Sequence, residues 1–238
     1  MNLIDVHTHT VLSSHAYSTL IENAKYAKEI GLKYLGVSDH GPALPGGQHI
    51  FAVNNMRVIP DYIEGVRVLK GVEANIVDQD GNLDIKENSL KRLNYTIASL
   101  HVPVIKPVLT IAEVTQIYLK VCDNPLVTVL GHIGDQRFKC DYKAVVKKAK
   151  ASHTLIELNN SSLMESSSRV DCYQNMYEVL TLCKEYACPI IINSDAHICY
   201  SISQFAKAEA LLKEVAFPKE LIVNYHESMI QDYFFSER

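Results

Sequence analysis

The sequence predicts an α/β protein built on a parallel sheet, open or closed into a barrel, and three observations lead there. Seven short apolar runs alternate with longer helical patterns along the 238 residues. The runs are near-continuous stretches of Val, Ile and Leu, as in parallel strands covered on both faces. No linker, repeat, low-complexity segment or shift in composition interrupts them, so one domain over 1–238 is expected.

The first run is LIDV at 3–6. A helical pattern over 18–31 then spaces Leu20, Ala24, Ala27 and Ile30 along one face and stops at Gly31. The second run, KYLGVS at 33–38, precedes an irregular stretch at 41–66, where Pro42, Pro45 and Gly46-Gly47 point to a long loop. RVLKGV at 67–72 is the third run, and Asp80-Gly81 in IVDQDGNLDI reads as a small hairpin turn. YTIASL at 95–100 leads to a helix over 110–121, where Thr110 and Glu113 form a capping-box pattern. LVTVLG at 126–131 is followed by a helix over 141–151 that opens on Asp141. HTLIEL at 153–158 and PIIINS at 189–194 complete the strands. Helices are expected over about 172–187, 204–215 and 227–235.

Hydrophobic residues at 47% and charged residues at 21% describe a globular chain and exclude a disordered one. The net charge of −4 is scattered, so tight non-specific nucleic-acid binding is not expected. No basic segment followed by an apolar stretch opens the chain, and no apolar run is long enough to span a membrane. The six cysteines form no CxxC pair, which suggests reduced, mostly buried thiols and a cytoplasmic protein. The oligomeric state is left open.

The histidines carry the functional signal through their positions. The first strand runs into His7-Thr8-His9, the second ends at Asp39-His40 and the third at Glu73. His101, His132 and Asp195-Ala196-His197 follow three later strands. Parallel strands deliver their C-terminal ends to one rim, where α/β barrels gather catalytic groups, and scattered core histidines have no reason to share it. His7 and His9, two apart on extended backbone, can grip one ion. Imidazole suits zinc, iron or manganese, and a carboxylate such as Glu73 can bridge two cations. No cysteine joins the rim, so a structural thiolate site is not expected. His15 lies above the same rim in the first loop. His49, His153 and His226 fall elsewhere and are left out.

The motifs HTH, the downstream His15, SDH, GVEAN, SLH, GH and SDAH together resemble the PHP (polymerase and histidinol phosphatase) superfamily over essentially the whole chain. The stretches HAYST, DHGP, NNMRVIP, DGNLD and LNNSS are similar to its small single-domain branch of phosphatases. That resemblance implies a distorted (β/α)7 barrel, TIM-barrel-like, with a metal site at the C-terminal face of the strands. It implies three divalent ions, zinc as the usual occupant with iron or manganese as alternatives. One ion would take His7, His9, Glu73 and Asp195, and a second Glu73, His101 and His132. The third would take His15, His40 and His197.

The activity implied is hydrolysis of a small phosphorylated metabolite by water activated between cations, with no side-chain nucleophile. Asp195 and His197 are candidates to assist with protons, although a ligand role is the simpler one for both. Arg57 in NNMRVIP is the candidate phosphate clamp, with Lys106 behind it. The strand at 153–158 is read as the one without an ionisable ligand, so Asn159 and Asn160 are expected to orient substrate or a ligand histidine. Alternatives are histidinol phosphatase, a nuclease, and a non-catalytic metal-binding module. The nuclease ranks low because no basic stripe tracks a strand.

Overall fold

The computed structural model describes residues 2–106 and 108–236. Among the described residues eight strands are formed: β1 (Ile4–Asp5), β2 (Tyr34–Val37), β3 (Tyr62–Ile63), β4 (Val66–Asn75), β5 (Tyr95–Ser99), β6 (Val129–Leu130), β7 (Leu155–Asn159) and β8 (Ile190–Asn193). Seven of them pair in parallel in the order β1-β2-β4-β5-β6-β7-β8, and β3 adds to β4 antiparallel. This is the expected seven-unit sheet with one short extra strand.

The sheet curls until its ends nearly meet. Just beyond β1 and β8, Thr8 bridges Ala196 in parallel, and the His9 amide donates to the Ala196 carbonyl at 2.8 Å. Lower down, Asn224 laces the same seam. Its Nδ2 donates to the carbonyls of Ile4 and Ile192, and its Oδ1 accepts the Ile192 amide. One buried side chain therefore supplies the ladder bonds that two strand ends would otherwise lack. The result is a distorted, TIM-like barrel.

The helices are α1 (Leu20–Glu29), α2 (Ile50–Asn55), α3 (Glu87–Leu90), α4 (Ile111–Cys122), α5 (Tyr142–Ala151), α6 (Cys172–Tyr186), α7 (Ala206–Val215) and α8 (Glu227–Phe235). The Thr110/Glu113 capping box opens α4 as expected, and Thr19/Glu22 forms a second one at α1. Asp141 caps α5, and Gly31 follows α1 with φ +80°. The 41–66 stretch is a correction. It holds α2 and a 3-10 turn at Met56–Val58, because Val53 and Met56 bury beside Val72 and Ala74, and then β3, which pairs with β4. Gly81 takes φ +75° in the predicted hairpin, where Ile76 bridges Leu83.

Alternation along the strands sorts the core. Leu69, Ile97, Val129, Leu155 and Ile191 fill the barrel interior and pack on Ile230 and Phe234 of α8, which closes the floor. Each such fully buried side chain contributes on the order of 1.5–3 kcal/mol. Their neighbours Ala98, Leu130, Ile156 and Ile192 face the layer formed by α4–α7. Two residues further along the interior faces, apolar gives way to polar: Leu155 to Glu157, Ile191 to Asn193, Ile97 to Ser99. The site sits on that polar layer.

Candidate metal centre

Glu73, at the interior face near the end of β4, is fully enclosed and forms the hub. Its Oε2 lies 2.6 Å from His40 Nδ1, 3.3 Å from His7 Nε2 and 3.7 Å from His9 Nε2. Its Oε1 lies 3.2 Å from His101 Nε2 and 3.1 Å from His132 Nε2. Asp195 faces the same group from just past β8, with Oδ1 3.0 Å from His9 Nε2 and 3.6 Å from His7 Nε2. His15 is exposed at the rim, its ring 4.6 Å from that of His197 and 5.1 Å from that of His40. The structure thus brings together His7, His9, His15, His40, Glu73, His101, His132, Asp195 and His197.

The surrounding hydrogen bonds fix which ring nitrogen points inward. His7 Nδ1 meets the Glu157 carboxylate at 2.6 Å, so it is the protonated nitrogen and Nε2 faces Glu73. His197 Nδ1 donates to the Asp195 carbonyl, which can only accept. His101 Nδ1 donates to Asn75 Oδ1, whose amide nitrogen is spent on Gly41 and Asp84. His132 Nδ1 donates to Ser162 Oγ, which passes its own proton to Asn159 Oδ1. His9 Nδ1 meets Ser13 Oγ at 3.3 Å, and that hydroxyl donates to Asp39. Five separate partners engage Nδ1 and leave Nε2 turned inward, that of His9 against Asp195 Oδ1 at 3.0 Å.

Most of those inward atoms are left without hydrogen bonds. Among the described residues, His7 Nε2, His40 Nδ1, His101 Nε2, His132 Nε2, His197 Nε2 and both Glu73 oxygens are buried and unsatisfied. Orphaned buried polar atoms are expensive, and here they converge within ligand distance of one another. Four overlapping trios meet that condition: His7-His9-Asp195, His7-Glu73-His132, His40-Glu73-His101 and His9-His40-His197. A nitrogen and carboxylate donor set of this kind fits divalent cations.

Electrostatics agree. Burial pushes the Glu73 carboxyl up, but His40, His7 and His101 outweigh it and hold it well below the usual range. Burial raises Asp195 too, against the stronger combined pull of His7, His9 and His132. Burial and the neighbouring His40 leave His9 well below the ordinary imidazole value, and burial brings His101 to about 4 despite Glu73. Burial likewise opposes a charge on His7, yet Glu157, Glu73 and Asp195 raise it well above the ordinary value. Two site residues, His132 and Asp195, adopt φ near +55° just past β6 and β8. Such left-handed backbone is strained for them and is typically held at functional positions. Gly131 lets the chain approach there, because a Cβ would stand 2.4 Å from Ser99 Oγ.

A cavity of about 550 Å³ opens over His15, His40, His101, Asp195 and His197. Arg169 and the run Ser166-Ser167-Ser168 form part of its wall. Arg57 does not line it. Arg57 is exposed in the 3-10 turn, following Met56, which takes the turn's buried position. Lys106 is exposed and also outside the lining. The strand at β7 corrects a second reading, since Glu157 is a buried carboxylate that holds His7 and the His132 amide. Strict alternation from Leu155 was the signal for it. Asn159 reaches His132 through Ser162, whereas Asn160 accepts the amides of Lys207 and Ala208 at the start of α7. His49 caps α2, His153 stacks on Tyr233, and His226 contacts the Lys219 carbonyl, all away from the cluster.

The PHP domain model matches residues 5–233. A Clostridium novyi protein named as a probable phosphatase is 47% identical over 235 residues, covering 99% of this chain and 95% of its own. A probable phosphatase of Clostridium botulinum is 46% identical over 231 residues, 97% of this chain and 93% of its own. The solved structure of a histidinol phosphate phosphatase from Lactococcus lactis, complexed with zinc, L-histidinol and phosphate, superposes with a TM-score of 0.57. At 15% identity, over 91% of this chain and 95% of that one, the likeness concerns the fold.

Proposed function

This chain belongs to the PHP domain family, and from that premise we propose that it is a metal-dependent phosphomonoesterase acting on a small phosphorylated metabolite. The observation that carries the reading is the convergence of inward-facing imidazole nitrogens, most of them without a hydrogen bond, on Glu73 and Asp195. The name shared by the close relatives supports phosphate esters as the bond attacked.

Three divalent ions are assigned, zinc first and iron or manganese as alternatives. His7, His9, Glu73 and Asp195 would hold one; Glu73, His101 and His132 another; His15, His40 and His197 the third. The His7-His9-Asp195 trio supports the first grouping, and the ring contacts of His15 support the third. Cations held there would supply Lewis-acid stabilisation of the phosphate oxygens and make water nucleophilic near neutral pH.

The chain's own groups do the rest. Glu73 and Asp195 set the negative charge of the floor, while Glu157, Asn75, Ser162 and Ser13 keep the rings aimed inward. Asp195 and His197 line the cavity, where they can take and return the protons moved between water and the leaving alcohol. The barrel is read as one domain over 1–238. No helix of the described residues is long and apolar enough to cross a membrane, and the free buried cysteines support a reducing compartment, the cytoplasm.

The test is metal analysis followed by phosphate release from a panel of esters, with a His9→Ala variant beside the parent. Release that needs metal and falls by orders of magnitude in the variant is expected. Bound metal with no release across the panel would leave a metal-binding module instead.

A further inference from the structure

We propose that the substrate carries a second anionic group besides the scissile phosphate, and that Arg169 receives it. The inference rests on the phosphomonoesterase reading and narrows its substrate class.

The first observation is a charge left over in the cavity wall. The Arg169 side chain is 14% exposed, and its contact with a carboxylate is Asp135 Oδ2 at 3.5 Å. Asp135 is already taken. Arg137 grips it with three side-chain hydrogen bonds of 2.6–3.1 Å, and the Arg137 backbone amide donates to it as well. Two guanidiniums therefore share one carboxylate, and the fork geometry belongs to Arg137. Arg169 keeps most of its positive charge, largely removed from water, on the side that faces the cavity.

The second observation is what the cavity lacks. A recess of about 260 Å³ adjoins the main cavity, shares Asp195 and His197 with it, and is lined by Asn160, Ser161, Ser201 and Gln204. Among the described residues, the one carboxylate lining either space is Asp195, which is turned to His7 and His9. Glu165, close by in the chain, lines neither space and lies 3.7 Å from Lys207. An ammonium or imidazolium on the leaving alcohol would find no counter-charge. A carboxylate or second phosphate would find a guanidinium, with the hydroxyls of Ser166–Ser168 as further donors. The scissile phosphate is met by the histidine cluster and its cations, which leaves Arg169 for the part of the substrate that does not react.

The experiment compares matched esters on metal-replete protein. The pairs are 3-phosphoglycerate against glycerol 3-phosphate and fructose 1,6-bisphosphate against fructose 6-phosphate, with phosphoethanolamine as the cationic probe and p-nitrophenyl phosphate as the general one. The member with the second anionic group in at least one pair is expected to show about ten- to hundredfold higher kcat/KM, carried by KM, with phosphoethanolamine the poorest. Arg169→Gln should erase that difference while leaving p-nitrophenyl phosphate turnover within a few-fold, and Arg169→Lys should keep part of it. Calorimetric binding of phosphonoacetate, compared with ethylphosphonate, gives the same ordering without turnover. Equal treatment of both pairs by the parent, or a preference that survives in Arg169→Gln, overturns the inference alone. Absence of any hydrolysis, p-nitrophenyl phosphate included, overturns the phosphomonoesterase reading as well.

Discussion

His7 and Glu157 meet at 2.6 Å, Nδ1 to Oε1, with both side chains fully enclosed by the barrel. Glu157 accepts from four donors at once: His7 Nδ1, the His132 amide, and the side-chain nitrogens of Asn159 and Asn193. It thereby ties two of the converging histidines to β7 and β8.

Glu157→Gln should therefore weaken metal binding more than it weakens the fold. The new amide nitrogen would face donors on every side, and His7 would lose the charge that fixes its tautomer. Metal affinity is expected to fall about 10- to 100-fold. Chelator competition measures the loss, and excess metal should restore most of kcat.

Metal uptake should release protons. In the metal-free protein burial opposes a charge on His7, but Glu157, Glu73 and Asp195 hold its pKa well above the ordinary value. The proton on Nε2 must leave before that nitrogen can act as a ligand. Below the folded pKa, affinity should drop about tenfold per pH unit for one displaced proton. Calorimetry of metal binding in buffers of different ionisation enthalpy reads the proton count, and a buffer-independent heat would contradict the assignment.

Asn224→Ala should open the seam between β1 and β8. The variant strands the Ile4 carbonyl and both backbone groups of Ile192 in a fully buried position. At about 1–3 kcal/mol for each unsatisfied group, partly relieved by water, a loss of about 2–4 kcal/mol is expected. Denaturant unfolding measures it.

The sequence carried the frame of this architecture well. Val-, Ile- and Leu-rich runs marked every strand of the parallel path, and their ends named the rim, because period-two alternation brings residues such as Glu73 and His101 to one face. Three features were harder to read. α2 forms because Val53 and Met56 find a non-local apolar surface, and β3 because it pairs with β4 while Ile63 packs beside Ala24 and Ala27; no local pattern between Pro42 and Ile63 announces either. Glu157 sits inside an apolar run, where a buried carboxylate is rare unless its partners are known. Arg169 lies in a serine-rich loop, and its role depends on Asp135 being taken by Arg137, a relation between distant segments.

The thiols should be inert in the native state. Cys122, Cys140, Cys172, Cys183 and Cys188 are buried, and burial pushes Cys122 and Cys172 each to about 11. Thiolate is the reactive form, so it is scarce at pH 8. Brief alkylation at that pH, read by mass spectrometry, should label Cys199 first and the other five only after unfolding.

The most direct test of the whole account is phosphate release from one good ester while metal-stripped protein is titrated with zinc. The stripped protein should release none, and activity should rise with added zinc and level off near three equivalents. Three bound equivalents with no phosphate released, or release that persists after stripping, would contradict it.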